Sequence, residues 1–194
     1  MNKEQLRAVG LAARRAIPRS RVKEMSAMVQ ENLWGLGDFV SARRIASYVA
    51  KEDEVQTVPI IERALAEAKS VAVPKVDTET GALLFFEIKG IHELSRGYSG
   101  ILEPRGADRP VKLSGTDVVL VPVVVWDARG HRIGHGAGQF DRALAQRGNS
   151  IAIGLAFESQ SVARIPDGPS DVKLDVLVTE KRVLKFSGIE VSSR

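Results

Sequence analysis

The sequence predicts an α/β fold with three layers, in which helices cover both faces of a mostly parallel sheet that has an antiparallel C-terminal edge. Helical and strand patterns alternate through most of the chain, as in parallel sheets with crossover helices. The run from Val118 to Trp126 is β-branched and lacks polar alternation, which is typical of a strand buried on both faces. Strand patterns on either side of Glu180-Lys181 predict the antiparallel edge.

The composition indicates one domain that spans residues 1–194. The chain is 44% hydrophobic and 27% charged, which is ordinary for a globular protein. It contains no cysteine, so disulfides, cysteine nucleophiles and thiolate metal sites are excluded. The longest apolar run, 118–126, is too short to cross a bilayer, and residues 1–23 lack the apolar core of a secretory signal. We therefore expect a cytoplasmic monomer without a membrane partner.

The charge distribution favours an anionic ligand. The net charge is +4, and residues 1–23 hold seven Lys and Arg residues against a single acid, Glu4. Nucleic acid, an organellar transit peptide and an anionic small molecule are all compatible with this bias. No basic stripe is interleaved with aromatic residues, so we expect no nucleic-acid partner.

Helical spacing predicts two helices near the N-terminus. The first ends before Pro18 and has an apolar face made of Leu6, Val9, Ala13 and Ile17. The second is capped by Ser20, ends at Gly35, and has an apolar face made of Val22, Met25, Val29, Leu33 and Leu36.

The remaining elements are predicted from short apolar runs. A helix is expected over 58–69, with Thr57 as its cap and Pro59 in its first turn. Strands are expected over 44–49, 70–73, 83–88, 151–157, 174–179 and 182–186, with Pro74 ending the second of them. The strand over 118–126 should end or bulge at Pro122, which cannot donate to a sheet ladder.

A glycine-rich loop follows the strand over 118–126. The turn 127–130 leads into Arg132, and residues 134–138 then place glycine at every second position before a short amphipathic helix. Such a loop lets the backbone approach a phosphate closely, with its amides turned inward. The spacing matches neither the dinucleotide fingerprint nor the P-loop. The glycines alone leave open a phosphate site and an ordinary turn between strand and helix.

Two charged residues directly after the loop have alternative interpretations. Asp141 is placed either to cap the helix or to hold a magnesium ion beside bound phosphates. Arg142 either neutralises phosphate charge or is a solvated surface residue.

The segment from Arg132 to Arg142 resembles the signature of the 5-formyltetrahydrofolate cyclo-ligase family, Arg-Leu-Gly-x-Gly-x-Gly-Tyr-Tyr-Asp-Arg. In that family the signature also follows an apolar strand and an Asp/Asn-x-x-Gly turn. Gln139 and Phe140 replace the two usual tyrosines, and His135 and Ala137 are milder departures.

Three further segments resemble the same family. Lys3-Glu4-Gln5-Leu6-Arg7 matches its N-terminal Lys-x-x-x-Arg, and residues 100–104 match its Gly-Ile-x-Glu-Pro, in which Glu103 has a structural or substrate-adjacent place. Residues 54–57 resemble its Glu-x-Asp/Glu-Thr segment after the first strand. Before the penultimate strand the family has a proline, an acid and a polar-Asp pair, which correspond here to Pro166, Asp167, Ser170 and Asp171.

The resemblance implies conversion of 5-formyltetrahydrofolate to 5,10-methenyltetrahydrofolate with ATP as co-substrate and Mg²⁺ as cofactor. Arg132 and Arg142 would be catalytic, and Asp141 and Asp171 would hold Mg²⁺. The substrate would contact Val49, Glu54, His135 and Gln139. ATP would contact Lys3, Arg7, Arg132, Ile133, Gly134, His135, Gly136, Ala137, Gly138, Gln139 and Phe140.

Other functions are compatible with parts of this pattern. The replacements at Gln139 and Phe140 also fit a paralogue that binds ATP and acts on another substrate. A sugar-phosphate or acyl-CoA enzyme would need neither Lys3 nor Arg7, and a nonenzymatic regulatory or nucleic-acid-binding module would show steeply salt-dependent binding. Ligands of such sheets bind beyond the carboxyl ends of the strands, so we expect Glu54, the glycine loop and Asp171 to meet there.

Overall fold

The computed structural model describes residues 1–106 and 108–186. Its helices are α1 (Lys3–Arg15), α2 (Arg19–Trp34), α3 (Gly37–Ser41), α4 (Val58–Ala66) and α5 (Gln139–Leu144). Its strands are β1 (Arg44–Ser47), β2 (Ser70–Val76), β3 (Leu83–Ile88), β4 (Leu94–Arg96), β5 (Leu102–Pro104), β6 (Pro110–Val111), β7 (Val118–Pro122), β8 (Val125–Trp126), β9 (Arg132–Ile133), β10 (Ile151–Leu155), β11 (Val176–Val178) and β12 (Val183–Lys185).

Within the described ranges, eight strands form the main sheet in the order β12-β11-β10-β7-β1-β2-β3-β6. The strands from β11 to β2 in this order are mutually parallel, and β12 pairs antiparallel with β11. The predicted fold class and its antiparallel C-terminal edge are confirmed. The opposite edge is antiparallel as well, through β3 and β6, which the sequence did not indicate.

The strand β7 lies at the centre of the sheet between β1 and β10. Its residues Val118 to Val121 are completely buried, as their unbroken β-branched run predicts. The strand ends at Pro122, and the chain resumes pairing at β8, which forms a separate small antiparallel pair with β9. The break expected at Pro122 is therefore present, and it turns the chain out of the sheet towards the glycine loop.

Helices lie on both faces of the sheet. On one face, α2, α3 and α4 pack on alternate sheet residues such as Ile45, Leu120 and Ile153. On the other face, α5 and the segments that flank it pack on Val119 and Ala152. Burial of these side chains supplies most of the driving force for the arrangement. No helix in the described part of the chain has the length and apolarity needed to cross a bilayer.

The helix α1 ends before Pro18, as predicted, and Leu6 of the expected inner face is buried, but the placement of Val9 on that face was wrong. Val9 is 47% exposed, whereas Leu6, Gly10 and Arg14 are buried. This face packs across the carboxyl end of the sheet, where Leu6 contacts the cluster around Val125. The inner face is partly polar because it borders a cavity as well as the core.

The predicted helix caps differ in detail. Pro18 precedes α2, and Ser20 lies in the first turn and makes no capping bond. Thr57 occupies the position before α4, but its hydroxyl accepts from the Ala50 amide and donates to the Tyr48 carbonyl. Thr57 therefore stabilises the segment after β1 and does not cap α4.

Strand β2 continues through Pro74, where the sequence predicted its end. The parallel pairing of β2 with β1 reaches only Ala72, so the nitrogen of Pro74 faces no ladder on that side. On the other side Pro74 lies opposite Phe85 of β3. A proline is tolerated at such an edge position.

Candidate active site

A cavity of about 710 Å³ opens at the carboxyl ends of the parallel strands. This is the rim at which the sequence places the candidate site, and the volume suits a small-molecule ligand. The walls come from five parts of the chain: the first turns of α1, residues 48–54, the β2–β3 hairpin with residues 98–103, residues 132–145, and residues 169–172. Glu54, the glycine loop and Asp171 thus meet at one cavity, as the topology predicts.

The glycine loop, residues 134–138, connects β9 to α5. Gly136 and Gly138 have φ angles of +118° and +63°, which other residues adopt only with strain. Among the described residues, the amides of 135–138 meet no hydrogen-bond acceptor. Free amides in a loop of this kind are donors for an anion. The predicted contact residues Gly134, His135, Gly136, Ala137 and Gly138 all line the cavity.

Lys3 and Arg7 project from α1 towards this loop. The Nζ atom of Lys3 lies 2.5 Å from Oδ2 of Asp171, and Nε of Arg7 donates to the Gly134 carbonyl at 3.0 Å. The Arg7 guanidinium also lies against Gly136, where a Cβ atom would approach it to 3.3 Å. Both cations therefore border the free amides, which concentrates positive charge at this end of the cavity.

Asp141 is held in place by a hydrogen bond from Arg132. Its Oδ1 atom accepts from Nη2 of Arg132 at 3.0 Å and from the amide of Val172 at 3.3 Å. Burial, opposed by the charge of Asp141, lowers the pKa of Arg132, whose side chain is only 3% exposed and also donates to the Val172 carbonyl. Gly138 takes the position before α5, so Asp141 is not the helix cap.

Asp141 and Asp171 fit a magnesium site that shares its ligands with a substrate. Oδ2 of Asp141 and Oδ1 of Asp171 accept no hydrogen bond from the residues described, and both side chains line the cavity. No group of three or more acidic or histidine side chains is placed to hold a metal in the described ranges. Mg²⁺ commonly takes one or two carboxylates and completes its shell with phosphate oxygens and water.

The charge of Asp171 is maintained by its neighbours. Partial burial raises the pKa of this carboxyl, but hydrogen bonds from Lys3 and from the Gly168 amide lower it below its ordinary value overall. The loop that carries Asp171 is anchored by Asp127, which is completely buried and accepts from the amide of Ile165 and from Arg129. The turn 127–130 therefore does more than reverse the chain, because it fixes the loop after β10.

Glu54 and Val49 line the same cavity from the segment that follows β1. Both are buried, Glu54 to 6% and Val49 to 4% exposure. Oε1 of Glu54 contacts Nη1 of Arg14 at 3.3 Å and Nε2 of His135 at 2.9 Å, and Oε2 accepts from the Lys51 amide at 2.8 Å. Burial raises the pKa of Glu54, but these partners together lower it below its ordinary value. Glu54 is thus a buried, ionised carboxylate.

Arg14 is a site-adjacent residue that the sequence reasoning missed. Its side chain is 2% exposed, and Nε also bonds Asp53 Oδ2 at 3.0 Å. Residues 3, 7 and 14 lie on one helical face, and this spacing was the signal that could have identified Arg14. Arg14 was overlooked because the inner face of this helix was predicted from apolar residues alone.

The residues that depart from the family signature lie at the start of α5. Gln139 Nε2 and Arg142 Nη2 both donate to the Gly81 carbonyl at the tip of the β2–β3 hairpin, at 3.1 and 3.3 Å. Phe140 is half-buried and packs on the sheet. Arg142 is exposed at the cavity wall, so its proposed catalytic role stays a prediction.

Two other residues from the motifs have structural contacts. Ile133 is 3% exposed and packs with Leu6, and its carbonyl accepts from the Val124 amide, so its predicted contact with ATP stays a prediction. Glu103 is buried, and its Oε1 accepts from the Val76 amide at 3.2 Å, which ties β5 to β2 at the cavity wall.

The fold and the cavity define an α/β protein with a site for an anionic ligand at the carboxyl ends of its parallel strands. Residues 1–180 match the model of the 5-formyltetrahydrofolate cyclo-ligase family. The chain therefore belongs to this family of ligases.

Individual relatives agree with the family match. The 5-formyltetrahydrofolate cyclo-ligase of Escherichia coli (strain K12) is 30% identical over 177 residues, which cover 89% of this chain and 97% of that protein. The solution structure of Aquifex aeolicus 5,10-methenyltetrahydrofolate synthetase matches with a TM-score of 0.86 and 29% identity, over 100% of this chain and 97% of that one. A synthetase from Mycoplasma pneumoniae, at 23% identity, shares the fold with a TM-score of 0.75 over 93% of this chain and 99% of that one.

Proposed function

We propose that this chain converts 5-formyltetrahydrofolate to 5,10-methenyltetrahydrofolate, uses ATP and Mg²⁺, and releases ADP and phosphate. The observation that carries the proposal is that one cavity joins a loop with free amides, and the cations Lys3 and Arg7, to a buried, ionised Glu54. The first feature suits a triphosphate, and the second suits the amino and ring N–H edge of a pterin.

The formyl group of the substrate is a poor electrophile and must be activated before the ring can close. In the first step the formyl oxygen attacks the γ-phosphorus of ATP, so that an O–P bond forms and the bond to ADP breaks. In the second step N10 attacks the formyl carbon and loses its proton, and the C–O bond breaks with release of phosphate. No side-chain nucleophile is required, which accords with a chain without cysteine.

The protein contributes orientation and charge. Lys3, Arg7 and the amides of 135–138 neutralise and align the phosphates, which are the main contributions that proteins make to phosphoryl transfer. Bound Mg²⁺ would supply further positive charge at the phosphates. Asp141 and Asp171 would hold it, with Arg132 keeping Asp141 in place from below.

Folate would occupy the other end, with its pterin on Glu54 and its flank against Val49. Arg142 would add positive charge at the exposed wall near the transferred group. Gln139 takes the position of the first signature tyrosine and is bonded to the Gly81 carbonyl, so this wall differs in chemistry from an aromatic one. That difference favours a second candidate, an ATP-dependent enzyme of the same family that acts on another substrate.

The near-ultraviolet absorbance of the methenyl product tests the proposal. Purified protein is mixed with 5-formyltetrahydrofolate, ATP and Mg²⁺, and each is then omitted in turn. We expect product only when all three are present, with one ADP released per product. Product without ATP would refute the phosphorylation step. Nucleotide binding without product would favour the second candidate.

A further inference from the structure

The C-terminal part of α1 holds a buried cation, Arg14, to which the proposed chemistry gives no role. Arg14 lies between Asp53 and Glu54, at 3.0 and 3.3 Å, and its side chain is 2% exposed. On this face of α1, Lys3 and Arg7 line the cavity, and Arg14 contacts Glu54, which also lines it.

The two side-chain partners of Glu54 differ in exposure. Arg14 is enclosed by the protein, whereas the His135 side chain is 42% exposed and belongs to the glycine loop at the cavity wall. Both contact the same oxygen, Oε1, while the Lys51 amide holds Oε2. A ligand that approaches Glu54 from the cavity with two N–H donors needs a lone pair on each oxygen.

Other ionisable groups around Glu54 leave this arrangement intact. Tyr48 lies beneath the carboxylate, and burial followed by the charge of Glu54 raises the pKa of its phenol, so it stays neutral. Its hydroxyl donates to the Val55 carbonyl instead. Asp53 faces Arg14 from the other side and has 32% exposure. Glu54 therefore has one enclosed side-chain partner, Arg14, and one partner at the cavity wall, His135.

We propose that Arg14 is the fixed positioning residue of Glu54, and that His135 is an exchangeable partner which the N–H edge of the substrate displaces. This inference rests on the proposed function. The buried guanidinium orients the carboxylate before the ligand arrives, which reduces the cost of ordering on binding. His135 occupies the same carboxylate in the free protein, so the carboxylate is never left without a second partner.

Opposite effects on the folate KM distinguish the two roles. Arg14→Gln should raise the KM for 5-formyltetrahydrofolate by about 10- to 100-fold, which corresponds to loss of one hydrogen bond to a charged group. The KM for ATP and kcat should change less than about threefold by the same scale. His135→Ala should lower the folate KM, because the competing partner is gone. Arg15→Gln is the matched control, since Arg15 is the exposed neighbour on α1.

The pH profile of kcat/KM distinguishes a residue that positions Glu54 from one that has only a structural role. Without the Arg14 charge, the pKa of Glu54 should rise, so the acid limb of kcat/KM for folate should shift to higher pH in Arg14→Gln. A merely structural role would leave that limb in place. Arg14→Lys, which keeps the charge, should retain the wild-type limb even where KM is raised.

Arg14→Gln leaves Glu54 buried with one cation fewer, so folding is checked by circular dichroism and a double-mutant cycle is included. In a Glu54→Gln background, Arg14→Gln should raise the folate KM no further. Additive effects, equal increases in both KM values, or a higher folate KM in His135→Ala would overturn the inference. Absence of product from the wild type would instead refute the proposed function.

Discussion

The two ends of α1 meet the cavity in different ways. At the N-terminal end, Lys3 is 39% exposed and pairs with Asp171, and Arg7 rests on the Gly134 carbonyl. At the C-terminal end, Arg14 is enclosed and pairs with the buried Glu54. The first set of cations is accessible, and its partners can be exchanged for a ligand. Arg14, in contrast, is enclosed by the protein and keeps its carboxylate partners.

This contrast reflects the two kinds of ligand. A triphosphate with a bound ion carries mobile charge, so cations that re-pair during the reaction suit it. A planar N–H edge requires a carboxylate of fixed orientation, and burial supplies that rigidity. We therefore expect substitutions at the phosphate end to reduce turnover or ATP affinity with little loss of stability. Substitutions at the Glu54 end should alter both folate affinity and stability.

The largest effect is expected at Asp141. Asp141→Asn keeps an acceptor for Arg132 and Val172 but removes the charge that would hold Mg²⁺. We expect kcat to fall by about two to three orders of magnitude, as when one preorganised charge-stabilising group is lost. Steady-state ATP turnover measures this loss, which should far exceed the loss of unfolding free energy in urea that follows from removing the charge beside the buried Arg132.

Asp175→Asn provides the matched control. Asp175 also accepts from an arginine and an amide, Arg147 and Ala152, both at 2.8 Å, but it lies outside the cavity. Its substitution should reduce stability and leave kcat unchanged. If Asp141→Asn loses stability and activity in the same proportion as Asp175→Asn, Asp141 is a structural residue.

A smaller effect is expected at Lys3 and Arg7, the cations at the N-terminal end of α1. Lys3→Gln and Arg7→Gln should each raise the KM for ATP by about 10- to 100-fold, the range for one charged hydrogen bond. The KM for folate should stay near the wild-type value, and unfolding should be unaffected because neither side chain is part of the core. Lys23→Gln, on the exposed surface of α2, is the control. A rise in folate KM alone would contradict the assignment of α1's two ends.

The fold followed from the sequence where one physical effect dominated. The β-branched run of β7 has no competing interpretation, and the break at Pro122 follows from a missing amide donor. The glycine loop was identified because its spacing is unusual, and the placement of Glu54 and Asp171 at the same cavity followed from strand direction.

The inner face of α1 was predicted wrongly because two effects compete there. Apolar periodicity selected Val9, which is exposed, while a helix next to a cavity buries Arg14 against carboxylates. The partners Asp53 and Glu54 are about 40 residues away in the chain, as the separations of their bonds show. Propensity and periodicity carry no information on such pairs, so only the three-dimensional structure reveals them.

A still smaller effect is expected at Gln139, where the signature departs from the family. Gln139→Tyr restores the usual aromatic residue and removes the hydrogen bond to Gly81. We expect the folate KM to fall by about 3- to 10-fold, in line with one aromatic contact, and the KM for ATP to stay constant. Gln146→Tyr, beyond the end of α5, should change neither value. A higher folate KM in Gln139→Tyr would mean that the Gly81 contact, not the aromatic face, shapes this wall.

The smallest effect concerns stability in acid, and it compares the two carboxylates directly. The native pKa of Glu54 lies below its ordinary value of 4.5, so its ionised form stabilises the fold above that pH. This contribution is lost as the pH falls below 4.5 and through the native pKa. The pKa of Asp171 is also lowered, from 3.8, but this group is nearer to solvent.

Urea unfolding at pH 7, 5, 4 and 3.5 measures both contributions. The wild type should lose more unfolding free energy between pH 5 and 3.5 than Glu54→Gln does, because the variant has no carboxyl to protonate there. The pH dependence of unfolding in Asp171→Asn should depart from that of the wild type by less, and only as the pH falls below 3.8, since screening by solvent weakens the pair of Asp171 with Lys3. Parallel curves for the wild type and Glu54→Gln would show that Glu54 has the same pKa folded and unfolded. In that case Glu54, at the buried end of α1, would contribute no more to the pH dependence of the unfolding free energy than Asp171 does at the other end.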